Sequence, residues 1–441
     1  MDLSNDLARL ELVDPSSRHS LASRLPVDAC QHICDAVRRL PPAVATSTLY
    51  ALSLVSKTWS TAAQSALHHT PFLTFDAPDT VPPRTFARLE TLLRTLGTRD
   101  NLARSVRELD IGRWTARCSS EAKVDRRRIS AIAVKIVAAC PALKVLSLPF
   151  VVQADKKDLV VALKRLSQLE RFTVDEDTAT ADPWIINIDV SIKEEWGKAI
   201  WTIADLAALA PSWPRIKVLE LYSAVHSGQG DVVVDWQLDE FTLYLNQNVK
   251  LGFTYLNRLL HGSRGSLRRL NIQEHRLEPG ALARFLEEYG GTLDTLTTFT
   301  ADYFTVDETL PVAIATHCPN LSILFLDTPI PDLADALSQL SRLRHLRSVL
   351  LHTVFATRLD RDQVLETLRS FRSLKSLGIS PGAHDVPNLN PGLLYLPAQY
   401  FFDTFCAAID DIRDAVREDG INVRELRSWD GRPGFKPIRG E

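Results

Sequence analysis

Few groupings in the sequence could do covalent chemistry. Gly378-Ile379-Ser380-Pro381-Gly382 matches G-x-S-x-G, the pattern that sets a serine nucleophile on a sharp turn between a strand and a helix. Apolar residues before it supply the strand. SPGAHDVPNLNPG follows from Ser380, and its prolines and glycines forbid the helix. Ser380 therefore reads as a turn residue, and His384 nearby adds no geometry. Cys30 and Cys34 stand one helical turn apart, but no second ligand pair accompanies them, which argues against zinc. His68-His69 is isolated and reads as a solvated helix end. Asn320-Leu321-Ser322 matches a glycosylation acceptor but falls in an expected strand. There is no P-loop, G-x-G-x-x-G or H-E-x-x-H. The expectation is a chain with no catalytic residue, cofactor or metal of its own.

The totals point to a folded protein. Of 441 residues, 45% are hydrophobic and 24% charged, as in an ordinary globular chain. Basic and acidic residues number 51 and 54, a balance that gives no reason to expect nucleic acid or a membrane surface as partner. No apolar run has the length of a bilayer span. MDLSNDLARLELVD lacks the pattern of a secretory leader. The six cysteines are scattered from Cys30 to Cys406, as buried thiols of an intracellular protein would be. The expected location is cytoplasmic or nuclear.

A repeat positions most of the chain. The block apolar-x-x-apolar-x-apolar recurs as VRELDI from Val106, LKVLSL from Leu143, LERFTV from Leu169, IKVLEL from Ile216 and LRRLNI from Leu267. It continues as LDTLTT (weaker) from Leu293, LSILFL from Leu321, LRSVLL from Leu346 and LKSLGI from Leu374. The last five begin 26, 28, 25 and 28 residues apart, and the longer gaps among the earlier blocks, 37, 47 and 51, hold inserted loops or missed copies. Within a block the fourth and sixth residues point to one face, as in a strand buried on one side. Amphipathic stretches such as ISAIAVKIVAAC, PDLADALSQL and RDQVLETLRSF lie between blocks, with Asp332 and Asp360 as cap candidates. Strand and helix alternating at this period stack into a curved solenoid with the strands inside the curve. Cys140, Leu166, Trp213, Cys318, Leu343 and Phe371 stand three residues before their blocks and mark where helix hands over to strand.

CPALKVLSL and CPNLSILFL resemble the cysteine-containing leucine-rich repeats often found behind an F-box. The resemblance spans residues 101–429, with 430–441 as a tail. Ahead of it, residues 21–75 read as a compact helical unit, after a tail at 1–20. Leu25-Pro26 opens a helix with Ile33, Val37 and Leu40 as its stripe, and Pro41-Pro42 ends it. A second helix carries Leu49, Leu52, Leu54, Val55 and Trp59, where Leu52, Val55 and Trp59 share one face. Ala62, Ala63 and Leu67 follow. The unit has more apolar residues than its size can bury. Residues 76–100 contain DAPDTVPP and the amphipathic TFARLETLLRTL, a linker and a helix that begins the solenoid.

Leu-Pro followed by Asp28, then Ile33, then Leu54-Val55-Ser56-Lys57-Thr58-Trp59 resembles an F-box. Ala29 departs from that family's larger aliphatic, and PPAVATSTLY makes a longer link. The resemblance implies docking on the Skp adaptor of a cullin-type ubiquitin ligase. Leu25, Pro26, Ile33, Leu54, Val55 and Trp59 would carry or support it, with Trp59 locking the unit's own core. The alternative is that these helices only cap the solenoid.

The residues flanking the two buried positions of each strand face outward. Most are polar. Ile323, Phe325 and Leu350 are not, and lie on adjacent strands. With Arg269, Asp327 and His352 beside them, they form the expected site for a protein substrate, unless the C-terminal tail covers it with Trp429 and Phe435. The reading is thus α/β: a leucine-rich-repeat horseshoe preceded by a small all-helical F-box domain. The expected function is substrate recognition for a ubiquitin ligase. The alternative is an interaction scaffold outside any ligase.

Overall fold

The protein is described from a computed structural model covering residues 25–70, 83–111, 122–149, 153–175, 201–221, 225–226, 231–244, 250–278, 280–300, 309–330, 332–353, 361–381 and 408–425. The expected tails at 1–20 and 430–441, DAPDTVPP except its last proline, Cys118, Cys406, Asp360, His384, Trp429 and Phe435 lie outside these residues. The chain divides into two compact units. The first is Met1–Ala179 with Ser212–Arg215, the second Thr180–Pro211 with Ile216–Glu441.

The first unit opens with three helices, α1 (Val27–Val37), α2 (Pro42–Ser53) and α3 (Lys57–His69). Pro26 precedes α1, and its carbonyl accepts the Cys30 N–H at 3.1 Å. Pro42 is the first residue of α2, where a missing N–H costs nothing. LSLVSKTW is not one helix. Leu54 and Val55 form a turn, and the Ser56 hydroxyl accepts the Trp59 N–H to start α3. A serine cap satisfies a donor that a continuing helix would have used differently, so Leu52 and Trp59 belong to different helices. They still meet in one core, made of Cys30, Cys34, Leu49, Trp59, Ala62, Ala63 and Ala66, with Val37, Leu52 and Leu67 against it. The buried stripe of α1 is therefore Cys30–Cys34–Val37, while Ile33 and Leu40 are exposed.

The helix expected over 76–100 is α4 (Pro83–Thr98), followed by α5 (Asp100–Ser105), α6 (Ala122–Ala139) and α7 (Lys156–Leu163). Leu89 and Leu96 bury the apolar face of α4. Strands β1 (Glu108–Asp110), β2 (Val145–Pro149) and β3 (Arg171–Asp175) pair in parallel, Glu108 with Val145 and Val145 with Arg171. Trp213 lies in this unit, packed edge-on against Phe172 with ring centroids 4.9 Å apart. Its indole N–H donates to the Leu163 carbonyl at 2.8 Å.

The second unit opens with β4 (Trp201–Thr202) and α8 (Ile203–Leu209), where Thr202 and Asp205 form a reciprocal capping box. Then come β5 (Val218–Leu221), β6 (Val225–His226), β7 (Glu240–Tyr244), β8 (Lys250–Leu251) and α9 (Phe253–Leu260). β9 (Arg269–Leu277), α10 (Ala281–Tyr289), β10 (Thr295–Thr300), α11 (Leu310–His317), β11 (Ile323–Ile330), α12 (Leu333–Leu340) and β12 (Ser348–Thr353) follow. α13 (Arg361–Ser370), β13 (Ser376–Pro381) and β14 (Asn422–Glu425) complete it. The order β5-β7-β9-β10-β11-β12-β13-β14 is parallel throughout. The aspartate cap is present at Asp332, which accepts the Asp335 N–H at 2.9 Å. This repeated strand-and-helix unit is the leucine-rich-repeat solenoid. Among the described residues no helix is long and apolar enough to cross a membrane.

β7 is a further repeat, additional to the nine blocks. Leu238, Phe241 and Leu243 are all buried and fit the template, dividing the 51-residue gap into 22 and 29. The weaker copy, LDTLTT, is fully formed as β10. Its sixth place holds Thr298, where every other block has Ile, Leu or Val. Thr298 is buried, and its hydroxyl has no hydrogen-bond partner among the described residues. An unpaired buried hydroxyl costs about 1–3 kcal/mol. Thr298→Val is therefore expected to raise the urea midpoint by an amount worth about 1 kcal/mol, with the slope unchanged. A lowered midpoint would show that the hydroxyl is satisfied.

Candidate interaction surfaces

Two surfaces carry the expected site residues. The first is on α1–α3. Leu25 is exposed ahead of α1, and Ile33 is 41% exposed. Leu54 and Val55, in the turn that Ser56 closes, are 72% and 50% exposed. Trp59 is 6% exposed and lies inside the core rather than on this surface. Of twelve large hydrophobic side chains exposed among the described residues, eight fall between Leu25 and Val55. They are outside a core that closes without them, so folding alone leaves them in water.

The helical domain is tied to β1. The Arg107 N–H donates to the His69 carbonyl at 2.9 Å, and the Thr70 hydroxyl donates to Glu108 at 3.1 Å. Arg38 and His69 approach the same carboxylate at 3.9 and 4.0 Å. His69 is thus a docked residue rather than a solvated helix end. Burial lowers its imidazole below the ordinary range; Arg38 and Arg107 add to this, and Glu108 and Asp35 oppose it. A lowered folded value means that the unfolded chain binds more protons as pH falls. The contribution of His69 to stability is then complete above about 6.5, the free histidine value, and is lost as acid protonates the imidazole. His69→Gln is expected to flatten the stability difference between pH 7.5 and pH 5.5. An unchanged slope would remove His69 from the docking account.

The second surface is the face of the second unit's sheet formed by the outward residues. From β7 to β12 half-buried or exposed positions alternate with buried ones, while in β13 Gly378 is itself buried. Register aligns them in rows: Glu240, Arg269, Thr295, Ile323, Ser348 and Ser376 in one, Thr242, Asn271, Thr297, Phe325, Leu350 and Gly378 in the next. Phe325 and Leu350 are direct cross-strand partners, with Ile323 two residues before Phe325. A Cβ on Gly378 would lie 2.9 Å from Leu350 Cδ1, so the glycine makes room for Leu350 to lean across. These three residues are brought together. Arg269 is not beside them. It lies two strands from Ile323 and pairs with Glu240 at 2.9 Å. Asp327 falls where β11 shifts register between Leu326 and Pro329, and His352 pairs with Pro329 in backbone register. The side chains of Asp327 and His352 lie outside the described residues.

Ser380 sits inside β13, paired in backbone register with His352, which is ladder geometry rather than the turn of a nucleophile elbow. Cys30, Cys34, Cys140 and Cys318 are buried free thiols. Burial pushes Cys34 to about 11 and Cys140 and Cys318 to about 12, which keeps them as inert thiols. Among the described residues no group of three His, Cys, Asp or Glu side chains could hold a metal ion. Block reading also missed Ser263. It is buried, accepts the Leu238 N–H at 3.1 Å and donates to the Trp236 carbonyl at 2.7 Å, joining β9's repeat to the β7 copy.

No protein-family model matches the chain, and no curated protein matches it. Solved structures do. One is the leucine-rich-repeat-containing protein LegL7 from Legionella pneumophila, at TM-score 0.36 and 10% identity, covering 77% of this chain and 97% of that one. Another is the Rad7 and Elc1 complex in yeast, at TM-score 0.36 and 12% identity, covering 89% of this chain and 94% of that one.

Proposed function

We propose that the chain is a substrate-recruiting subunit of a cullin-type ubiquitin ligase, with no active site of its own. Helices α1–α3 dock on a Skp-type adaptor through Leu25, Pro26, Ile33, Leu54 and Val55, while Trp59 holds the fold that presents them. The carrying observation is the concentration of exposed apolar side chains between Leu25 and Val55, outside a core already closed by Trp59 and Cys34. Such a patch on a small domain marks a partner site, and the anchors fit a groove-docking mode. The repeats hold a protein substrate on the sheet face at Ile323, Phe325 and Leu350. Chemistry then follows from proximity, because two tethered sites raise the effective concentration of target at the ligase.

The test is co-purification of the full chain with a Skp-type adaptor, wild type beside Leu54→Asp/Val55→Asp. Both residues are solvent-facing, so the variant is expected to melt with the wild type while losing at least 100-fold in affinity. Failure of well-folded wild type to bind would reduce α1–α3 to a cap on the repeats.

A further inference from the structure

The residue just before each strand forms a further row, fixed by backbone bonds from one repeat to the next. In the second unit Arg268 N–H donates to Asp239, Asp294 to Arg268, Ser322 to Asp294, Arg347 to Ser322 and Lys375 to Arg347, each at 2.8 Å. Glu240 N–H reaches Lys217 at 3.0 Å and extends the row. Read along it, the side chains are Lys217, Asp239, Arg268, Asp294, Ser322, Arg347 and Lys375. Sign alternates through the first four, and Lys217 reaches Asp239 at 3.5 Å. Alternation is what a ladder of neighbouring charges favours, since like charges side by side destabilise it.

The alternation breaks at Arg347–Lys375, where two cations are adjacent. The position three residues earlier breaks in the same two repeats. It holds Gly265, Gly291 and Pro319, and then Arg344 and Arg372. Ser373 Oγ donates to the Arg344 carbonyl at 2.8 Å, which joins these two turns side by side. Arg342 and His345 flank them. Arg342, Arg344, Arg347, Arg372 and Lys375 are exposed and have no ion pair among the described residues. The turn before β14 carries Glu418 and Asp419, and Asp419 is held by Arg369 at 3.5 Å.

We infer that Arg344, Arg347, Arg372 and Lys375 form a docking site for a short acidic segment of a partner protein. Neighbouring strands lie about 4.8 Å apart, so the two repeats spread four cations along a line that several carboxylates of one acidic segment can follow, and a single phosphate is the competing occupant that the experiment separates. Guanidinium groups bind carboxylates as two-pronged donors, and acidic motifs are read by such arginine clusters. The site covers two repeats of a chain with formal charge -3, whereas duplex nucleic acid is held by contacts to about 6–10 phosphates. The inference does not depend on adaptor docking.

The experiment is fluorescence polarisation with the full chain and four labelled probes of about equal length. They are a Glu/Asp-rich octapeptide, its Gln/Asn counterpart, a singly phosphorylated Ser octapeptide and a single-stranded oligonucleotide. The expected result is binding of the acidic peptide, weakening at least tenfold between 50 and 300 mM salt. It should weaken at least tenfold in Arg344→Gln/Arg347→Gln/Arg372→Gln/Lys375→Gln and be unchanged in the control Lys157→Gln/Arg165→Gln/Arg284→Gln. Circular dichroism melting confirms that both variants fold. No binding of the acidic peptide, equal binding by the quadruple variant, or tenfold preference for the phosphopeptide or oligonucleotide would each overturn the assignment.

Discussion

Replacing Trp59 by alanine is expected to cost about 3–5 kcal/mol in the helical domain, the usual penalty for emptying a buried aromatic site. Trp59 packs in a small core whose other members are two cysteines, Leu49 and three alanines. No comparably large side chain stands ready to fill the space. A domain of this size has little stability in reserve, so Trp59→Ala should melt residues 25–70 and abolish adaptor binding. Leu54→Asp/Val55→Asp should abolish the same binding with melting unchanged. Limited proteolysis separates the two, with rapid cleavage between 25 and 70 expected only in Trp59→Ala. Resistance of Trp59→Ala to cleavage would mean that the core is built on other contacts.

Trp213→Ala is expected to be as severe in the first unit. The side chain is fully buried against Phe172, so truncation leaves a cavity costing about 3–5 kcal/mol. It also removes one of two donors to the Leu163 carbonyl, which keeps the Leu166 N–H at 3.0 Å, so the lost hydrogen bond adds about 0.5–1.5 kcal/mol. Trp213→Phe keeps most of the packing and loses only the N–H. Its urea midpoint should fall between those of wild type and the alanine variant. Equal midpoints for the two variants would remove the hydrogen bond from the account, and a small effect of both would remove the packing.

The repeats were legible because their signal is local. Two buried positions per strand, spaced by two, identify a block wherever it occurs. The β7 copy was hidden by an irregular gap, although Leu238, Phe241 and Leu243 carried the pattern. That omission had a consequence for the site. Arg269, expected beside the apolar patch, is separated from it by β10, and the carboxylate that holds it, Glu240, lies in the unrecognised strand. In the helical domain the signals competed. Leu52, Val55 and Trp59 keep a helical period across a break that Ser56 alone announces. α1 has apolar residues on two sides, and nothing in the sequence says that Cys30 and Cys34, rather than Ile33 and Leu40, turn inward. Cross-strand charge order, on which the Arg344–Lys375 cluster rests, becomes visible only when register is known.

The most direct test of the central claim is amide hydrogen exchange of the full chain, alone and with a purified Skp-type adaptor. The account predicts slowed exchange confined to residues 25–56, around Ile33 and the Leu54–Val55 turn, with the repeats from Arg269 to Pro381 unaffected. Unchanged exchange in a folded chain, or protection appearing on the repeats in place of the helical domain, would contradict it.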